Sequence, residues 1–205
     1  KLEDTAQSIY KEWFVNFESD ESIKLNEYIE FNPKYIIKKD FLTSYVEMAD
    51  VQEDKMSLKN IIKRPFTSGS KFKNNDTLLA RITPCLENGK TAFVTGLNKN
   101  EIAFGSTEYI VFASKDDIPS CFYYFLIRNS KFVTFALQFM NGSSGRQRVS
   151  GEELASFPLM IPSKEKLAAF NKVGKLVLEQ MKEATEEIQF LKQLQETITA
   201  TLSSN

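Results

Sequence analysis

Residues 163–202 run for forty positions without an internal proline, and Gly174 is the only glycine among them. Apolar side chains recur there in steps of three and four: Leu167, Phe170, Val177, Met181, Ala184, Ile188, Leu191, Ile198 and Leu202. In heptad terms Leu167, Gly174, Met181, Ile188, Gln195 and Leu202 fill one seam position, and Phe170, Val177, Ala184, Leu191 and Ile198 fill the other. A seam repeating every 3.5 residues stays on one side of a slightly supercoiled helix and faces a partner helix. At 1.5 Å per residue the helix is roughly 60 Å long, more than a small domain covers. Residues 163–205 are therefore expected to form a helical spacer that pairs, with small Gly174 and polar Gln195 weakening the seam while fixing its register. The simpler alternative is one amphipathic helix packed along its own domain.

A length of 205 residues suits one globular domain plus this helix, or two small domains. Of the 205 residues 42% are apolar and 17 are Phe, enough for a bulky core. Charge nearly cancels overall, 26 basic against 27 acidic, yet it is unevenly placed. Residues 1–54 are strongly acidic, whereas 55–100 carry 9 Lys/Arg against 2 Asp/Glu. A basic block in a neutral chain suggests a local polyanion-binding face; a solvated lysine-rich surface is the alternative. There is no histidine, which removes Ser-His-Asp and Cys-His nucleophile pairs, zinc fingers and His-based metal sites. Cys85 and Cys121 have no metal-ligand spacing and make no disulfide framework, so free thiols in a reducing cytoplasm are expected. The longest apolar run, residues 122–127, is too short to span a bilayer, so no membrane role is expected. The chain opens on Lys1, so a natural start upstream of it is expected.

Residues 2–17 place Leu2, Ala6, Ile9, Tyr10, Trp13, Phe14 and Phe17 on one helical face that must be buried. Short runs punctuated by Pro and Asp between 23 and 50 read as strands and loops. Asn32-Pro33-Lys34-Tyr35 is similar to an adenine-methyltransferase signature but lacks its second proline. Residues 78–95 read as strand, turn at Glu87-Asn88-Gly89, strand. Gly89-Lys90-Thr91 imitates the end of a phosphate-binding loop, but Pro84 stands where that loop needs glycine and a strand follows in place of a helix. One or two strands are expected in 101–113, and two core helices in 118–140 with a break at Asn129-Ser130.

Two segments have the chemistry of nucleic-acid contact. The loop-like stretch 62–75 carries Lys63, Arg64, Lys71 and Lys73, and Lys90 follows in the turn. Residues 141–148, NGSSGRQR, combine a Gly/Ser loop whose amides could cradle a phosphate with Arg146, Gln147 and Arg148. Arginine pairs with guanine and glutamine with adenine, so Ser143, Ser144, Arg146, Gln147 and Arg148 are the second set of candidates. In an extended segment Arg146 and Arg148 share a face. The competing role for either arginine is a helix cap or a pair with a core carboxylate.

LLARITPCLENGKTAFV, then FGSTEYIVF, then GSSGRQRVSGEELASFPLMIPS, followed by a long heptad helix, resembles a specificity subunit of a type I restriction-modification enzyme. The opening LEDTAQSIYKEWFVNFE resembles the aromatic helix that precedes a target-recognition domain in that family. Asn75 departs from the family, which often has glycine there. The resemblance implies an α+β protein: an N-terminal helix over 1–18, a mixed target-recognition domain over 19–162, and a coiled-coil-forming helix over 163–205. It implies a non-catalytic reader of double-stranded DNA that reads one half of a bipartite site. It also implies docking of methyltransferase subunits and, in some assemblies, restriction subunits. S-adenosylmethionine, ATP and Mg would belong to those partners, leaving no cofactor and no metal in this chain. Full-size members carry each segment twice and this chain carries each once, so a half-size subunit or half of a longer one is implied, with homodimerisation through the long helix. The recognisable segments are common to members with many targets, so base readers are expected in stretches such as 32–75. The reading from another class is a coiled-coil assembly module with only non-specific affinity for DNA.

Overall fold

The structure, a computed structural model, describes residues 2–15, 22–115, 120–160 and 163–203. Phe17 and the expected boundaries at 18–19 and 162 fall outside them. Helix α1 (Leu2–Tyr10) continues as a wider π turn over Lys11–Val15. The expected aromatic face is buried through Ala6, Tyr10 and Phe14.

Two four-stranded sheets follow. In the first, β2 (Ile29–Phe31), β9 (Tyr109–Ser114), β6 (Thr77–Ala80) and β7 (Thr91–Phe93) lie side by side, all antiparallel. In the second the order is β4 (Ile62–Pro65), β3 (Leu42–Val46), β8 (Ala103–Gly105) and β5 (Ser70–Phe72). There β3 and β8 run parallel and the outer pairs antiparallel. A two-stranded ribbon joins β1 (Ser22–Lys24) to β10 (Pro158–Met160). Helices α2 (Ser120–Ile127), α3 (Ser130–Gln138) and α4 (Gly151–Ala155) complete the body, and α5 (Lys164–Ser203) leaves it.

Successive strand residues point to opposite faces, and the first sheet is buried on both. Leu78, Val111 and Ala92 face the second sheet, in a core with Val46, Phe72 and Ala103. Leu79, Ile110, Phe112 and Phe93 face the helices, in a core with Phe122, Phe125 and Phe132. Double burial explains why Tyr109–Ala113 reads as a continuous apolar run. The expected break between α2 and α3 is there: Asn129 caps α3, its side chain accepting from the Lys131 amide. The expected tight turn at 87–89 is not; residues 81–90 form a longer connection of successive turns, containing a cis Thr83–Pro84 bond.

Helix α5 divides into two halves. Phe170 is fully buried, its ring 5.2 Å from Phe14, 5.5 Å from Phe125 and 5.7 Å from Tyr10, all edge-on. Such pairs add about 0.5–1.5 kcal/mol each beyond area burial. Val177 is buried beside them, and Leu167 and Met181 pack on the same core. A methyl group at Gly174 would overlap Sγ of Cys121 on α2, so this glycine permits close approach within the chain. The expected continuous interchain seam is therefore corrected: Leu167, Phe170, Val177 and Met181 pack on the chain's own core, and Gly174 lies against Cys121 of α2. From Ala184 onward the stripe is exposed, and Ile188, Leu191, Ile198 and Leu202 have half or more of their surface in solvent.

Candidate nucleic-acid interface

The outer face of the second sheet carries an aromatic floor. Tyr45 and Phe104 are directly paired in register, with ring centroids 4.8 Å apart, and Phe66 stands edge-on to Phe104 at 5.1 Å. Two cations lie over it: the Arg64 guanidinium 4.6 Å above Tyr45 and the Lys71 ammonium 5.2 Å from Phe66. Cation–π contact contributes about 0.5–1 kcal/mol at exposed sites and holds both groups extended while leaving their polar edges to solvent. Glu47, 3.8 Å from Arg64, is exposed and is a weak competitor for it. All four residues of edge strand β4 are exposed.

Lys63 sits on the opposite face of β4. Its ammonium is 2.5 Å from Oε1 of Glu101 and donates to Ser44 Oγ at 3.0 Å. Burial raises the Glu101 pKa, but hydrogen bonds from Lys63, Ser44 and Asn98 outweigh it and hold the carboxyl down to about 2. Lys63 thus begins as an ion-paired group. Lys73 lies 5.1 Å from the Tyr35 ring, and Tyr35 in turn donates to Asp76 at 3.3 Å. Asp76 also accepts from the Lys73 amide at 2.8 Å, an arrangement that ties residues 33–37 to the start of β6. Lys90 donates to the Met48 carbonyl at 3.2 Å and is half-buried; it braces residues 48–50 from within. That geometry corrects its expected place among phosphate contacts.

The 141–148 segment is a closed loop. Asn141 and Arg148 exchange backbone hydrogen bonds at 2.8 and 2.9 Å, and the Arg146 amide donates to Ser143. The Gln147 amide donates to Thr83 Oγ1 at 3.1 Å. Of the 141–145 amides expected to cradle a phosphate, that of Asn141 is thus taken up inside the chain, as are those of Arg146, Gln147 and Arg148 that follow them. Arg148 Nη2 and Nε donate to Glu108 at 2.7 and 2.9 Å, and Nη1 donates to the Arg146 carbonyl. The Arg148 hydrogen bonds and charge hold the Glu108 carboxyl below its ordinary range, with Arg81 adding to the effect. Arg148 therefore takes the competing role, the carboxylate partner. Arg146, Ser143 and Ser144 are exposed; Gln147 is half-buried.

The sequence reading missed Tyr45, Phe66 and Phe104, because a floor made by two strands and the residue that follows a third has no linear signal. It missed Phe41, Leu42 and Ile62 as well, although such exposed apolar residues flanked by Lys38, Lys39, Lys63 and Arg64 were visible as a pattern. Among the described residues no group of three or more His, Cys, Asp or Glu is placed to hold a metal ion. No described helix is long and apolar enough to cross a membrane.

An α+β body with a projecting helix and a cation-bearing aromatic face defines a binding module. A family model described as the type I restriction modification DNA specificity domain matches residues 15–200, and the chain belongs to that family. It is 30% identical over 149 residues to the specificity subunit of the type I restriction enzyme EcoAI of Escherichia coli, covering 70% of this chain and 25% of that subunit. It is 27% identical over 198 residues to the EcoEI specificity subunit, also of Escherichia coli, covering 90% of this chain and 33% of that subunit. The chain thus spans between a quarter and a third of the length of these relatives. Its fold is shared with the HsdS subunit of Thermoanaerobacter tengcongensis, with a TM-score of 0.55 at 12% identity over 91% of this chain and 45% of that one. The type I restriction-modification S subunit of M. genitalium gives 0.56 at 12% identity, over 96% and 52%.

Proposed function

We propose that this chain is a DNA-reading module of a type I restriction-modification complex. It reads one half of a bipartite site in double-stranded DNA and docks methyltransferase subunits, with restriction subunits joining some assemblies. The single observation that carries the reading is the family match over residues 15–200, and the cation-bearing outer face of the second sheet gives it a physical basis. Residues 19–162 do the reading, 163–205 set the spacing, and the helix in 1–18 braces the two. Arg64 and Arg146 from exposed positions, and half-buried Lys71, supply phosphate or base contacts; Lys63 joins them by exchanging Glu101 for a phosphate. The chain itself does no chemistry. Methyl donor, ATP and Mg belong to the partners.

The exposed distal half of α5 favours pairing with a second long helix, which in a homodimer demands a two-fold symmetric site. Phe190 and Leu194, exposed beside the seam stripe, widen the apolar surface beyond what one partner helix covers. They suit the methyltransferase contact. The reading is tested by selecting bound duplexes from a randomised library with the chain and its methyltransferase subunit. Enrichment of a defined half-site is expected. Arg64→Ala and Arg146→Ala should each lower the log–log salt slope by about 0.9 if they hold phosphates. Enrichment of no sequence, with binding governed by salt alone, would instead fit an assembly module.

A further inference from the structure

Among the described residues of 22–160 the exposed large apolar side chains are Ile36, Phe41, Leu42, Ile62 and Leu137, and Phe41 and Leu42 stand side by side. Single exposed apolar residues need no explanation, but two large ones side by side at the end of a strand, flanked by cations, do. Phe41 and Leu42 are consecutive and 59% and 60% exposed. They stand where β3 begins, on a built element. The Phe41 amide donates to Lys38, closing a turn, and Asp40 takes a left-handed conformation at φ 62°. The Asp40 amide donates to the Phe66 carbonyl at 2.9 Å, and the Phe66 amide donates back to Phe41 at 2.9 Å. Two residues thus oppose one, the pattern of a β-bulge, a device that re-aims side chains at sheet edges and next to functional sites. Directly beyond it Leu42 opposes Pro65, itself exposed.

Cations surround this tip. Lys38 and Lys39 lie in the turn, Lys63 and Arg64 on the adjoining strand, and all four are exposed. An apolar surface framed by ammonium and guanidinium groups fits a polyanion whose interior offers apolar groups. In duplex DNA the apolar group on a base edge is the thymine 5-methyl, which faces the major groove, and that groove admits a two-stranded β ribbon.

We propose that Phe41 and Leu42, presented by the bulge at the start of β3, read thymine through its 5-methyl group. Lys38, Lys39 and Arg64 hold the flanking phosphates. The proposal rests on the DNA-recognition reading above and makes a separate claim about which residues carry specificity.

The test uses the chain assembled with its methyltransferase subunit and the duplex site selected by the wild type, with each thymine replaced in turn by deoxyuridine, which lacks only the methyl. Wild-type binding should fall roughly tenfold at one or two positions. Phe41→Ala and Leu42→Ala should bind the thymine duplex weakly and no longer distinguish it from the uridine duplex, with an unchanged salt slope. Leu42→Met, which keeps apolar surface, should retain the distinction. Alanine variants that still prefer thymine as the wild type does, or a wild type indifferent to every replacement, would overturn the proposal while leaving DNA recognition standing. Variants that bind DNA normally but lose the methyltransferase subunit would overturn it in favour of a protein contact. A wild-type complex that treats target and scrambled duplexes alike would overturn both claims.

Discussion

Arg148 and Glu108 form a bidentate pair across 40 residues of sequence, with Nη2 and Nε donating to the carboxylate at 2.7 and 2.9 Å. Glu108 belongs to the turn between β8 and β9, and Arg81 Nε lies 3.6 Å from the same carboxylate. One carboxylate therefore ties the 141–148 loop to the junction between the two sheets. Losing either partner should loosen the loop. Glu108→Ala and Arg148→Ala should each lower the melting temperature, and the double variant should lower it by less than their sum. Strict additivity in a calorimetric cycle would mean that the pair does not act as a unit.

Two carboxylates should give stability opposite dependences on pH. Burial pushes the Asp76 carboxyl up to about 6, against the Lys73 amide, the Tyr35 hydroxyl and the Lys73 charge that lower it. It binds its proton more tightly when folded, so its contribution is greatest below its ordinary value of 3.8 and is lost as pH rises through about 6. Glu101 is the reverse: its contribution is present above 4.5 and is lost as pH falls toward about 2. Denaturant titrations across this range should find Asp76→Asn flatter between pH 4 and 6, and Glu101→Gln flatter between pH 4.5 and 2. Unchanged pH profiles would contradict the assignments.

Gly174 and Cys121 define how closely α5 approaches α2. Gly174→Ala should destabilise by about 1–3 kcal/mol, the cost of overpacking a core. Adding Cys121→Ala removes the overlapping sulfur, and the second change should recover part of the loss. A thiol buried there, its pKa pushed up to about 11 mainly by desolvation, should also react slowly with alkylating agents. If Gly174→Ala alone were neutral or stabilising, the close approach would be refuted.

The two halves of α5 should separate experimentally. Phe170→Ala should cost about 3–5 kcal/mol of stability, as loss of a buried aromatic side chain does. Leu191→Lys, in the exposed distal half, should leave the melting temperature of the body nearly unchanged and shift the sedimentation profile toward the monomer. A Leu191→Lys variant that associates as the wild type does would sink the pairing role of the distal stripe.

The long helix was legible in the sequence because a 3.5-residue repeat is local information. Its division was not, because Phe170 and Ile188 occupy equivalent kinds of seam position and differ only in what lies across from them. Tyr10, Phe14 and Phe125 cover Phe170, and each comes from a distant part of the chain. The same limit governed the arginines. Arg146 and Arg148 have equal chemistry two residues apart, and a carboxylate 40 residues upstream decides between them. The break at Asn129-Ser130 was legible: Asn129 caps the second helix there; the capping box of Ser150 with Glu153 at α4 was not read from the sequence, although its pattern is local. The parallel β3–β8 pair, which builds the aromatic floor, had no counterpart in sequence spacing.

The most direct measurement is methylome sequencing of a methylation-free host that expresses this chain with its neighbouring methyltransferase subunit. A new bipartite methylated site should appear, palindromic if two copies pair through α5 and asymmetric if a different recognition module is recruited. No new methylation, with both proteins soluble and co-purifying, would contradict the assignment of this chain as the DNA-reading part of the complex.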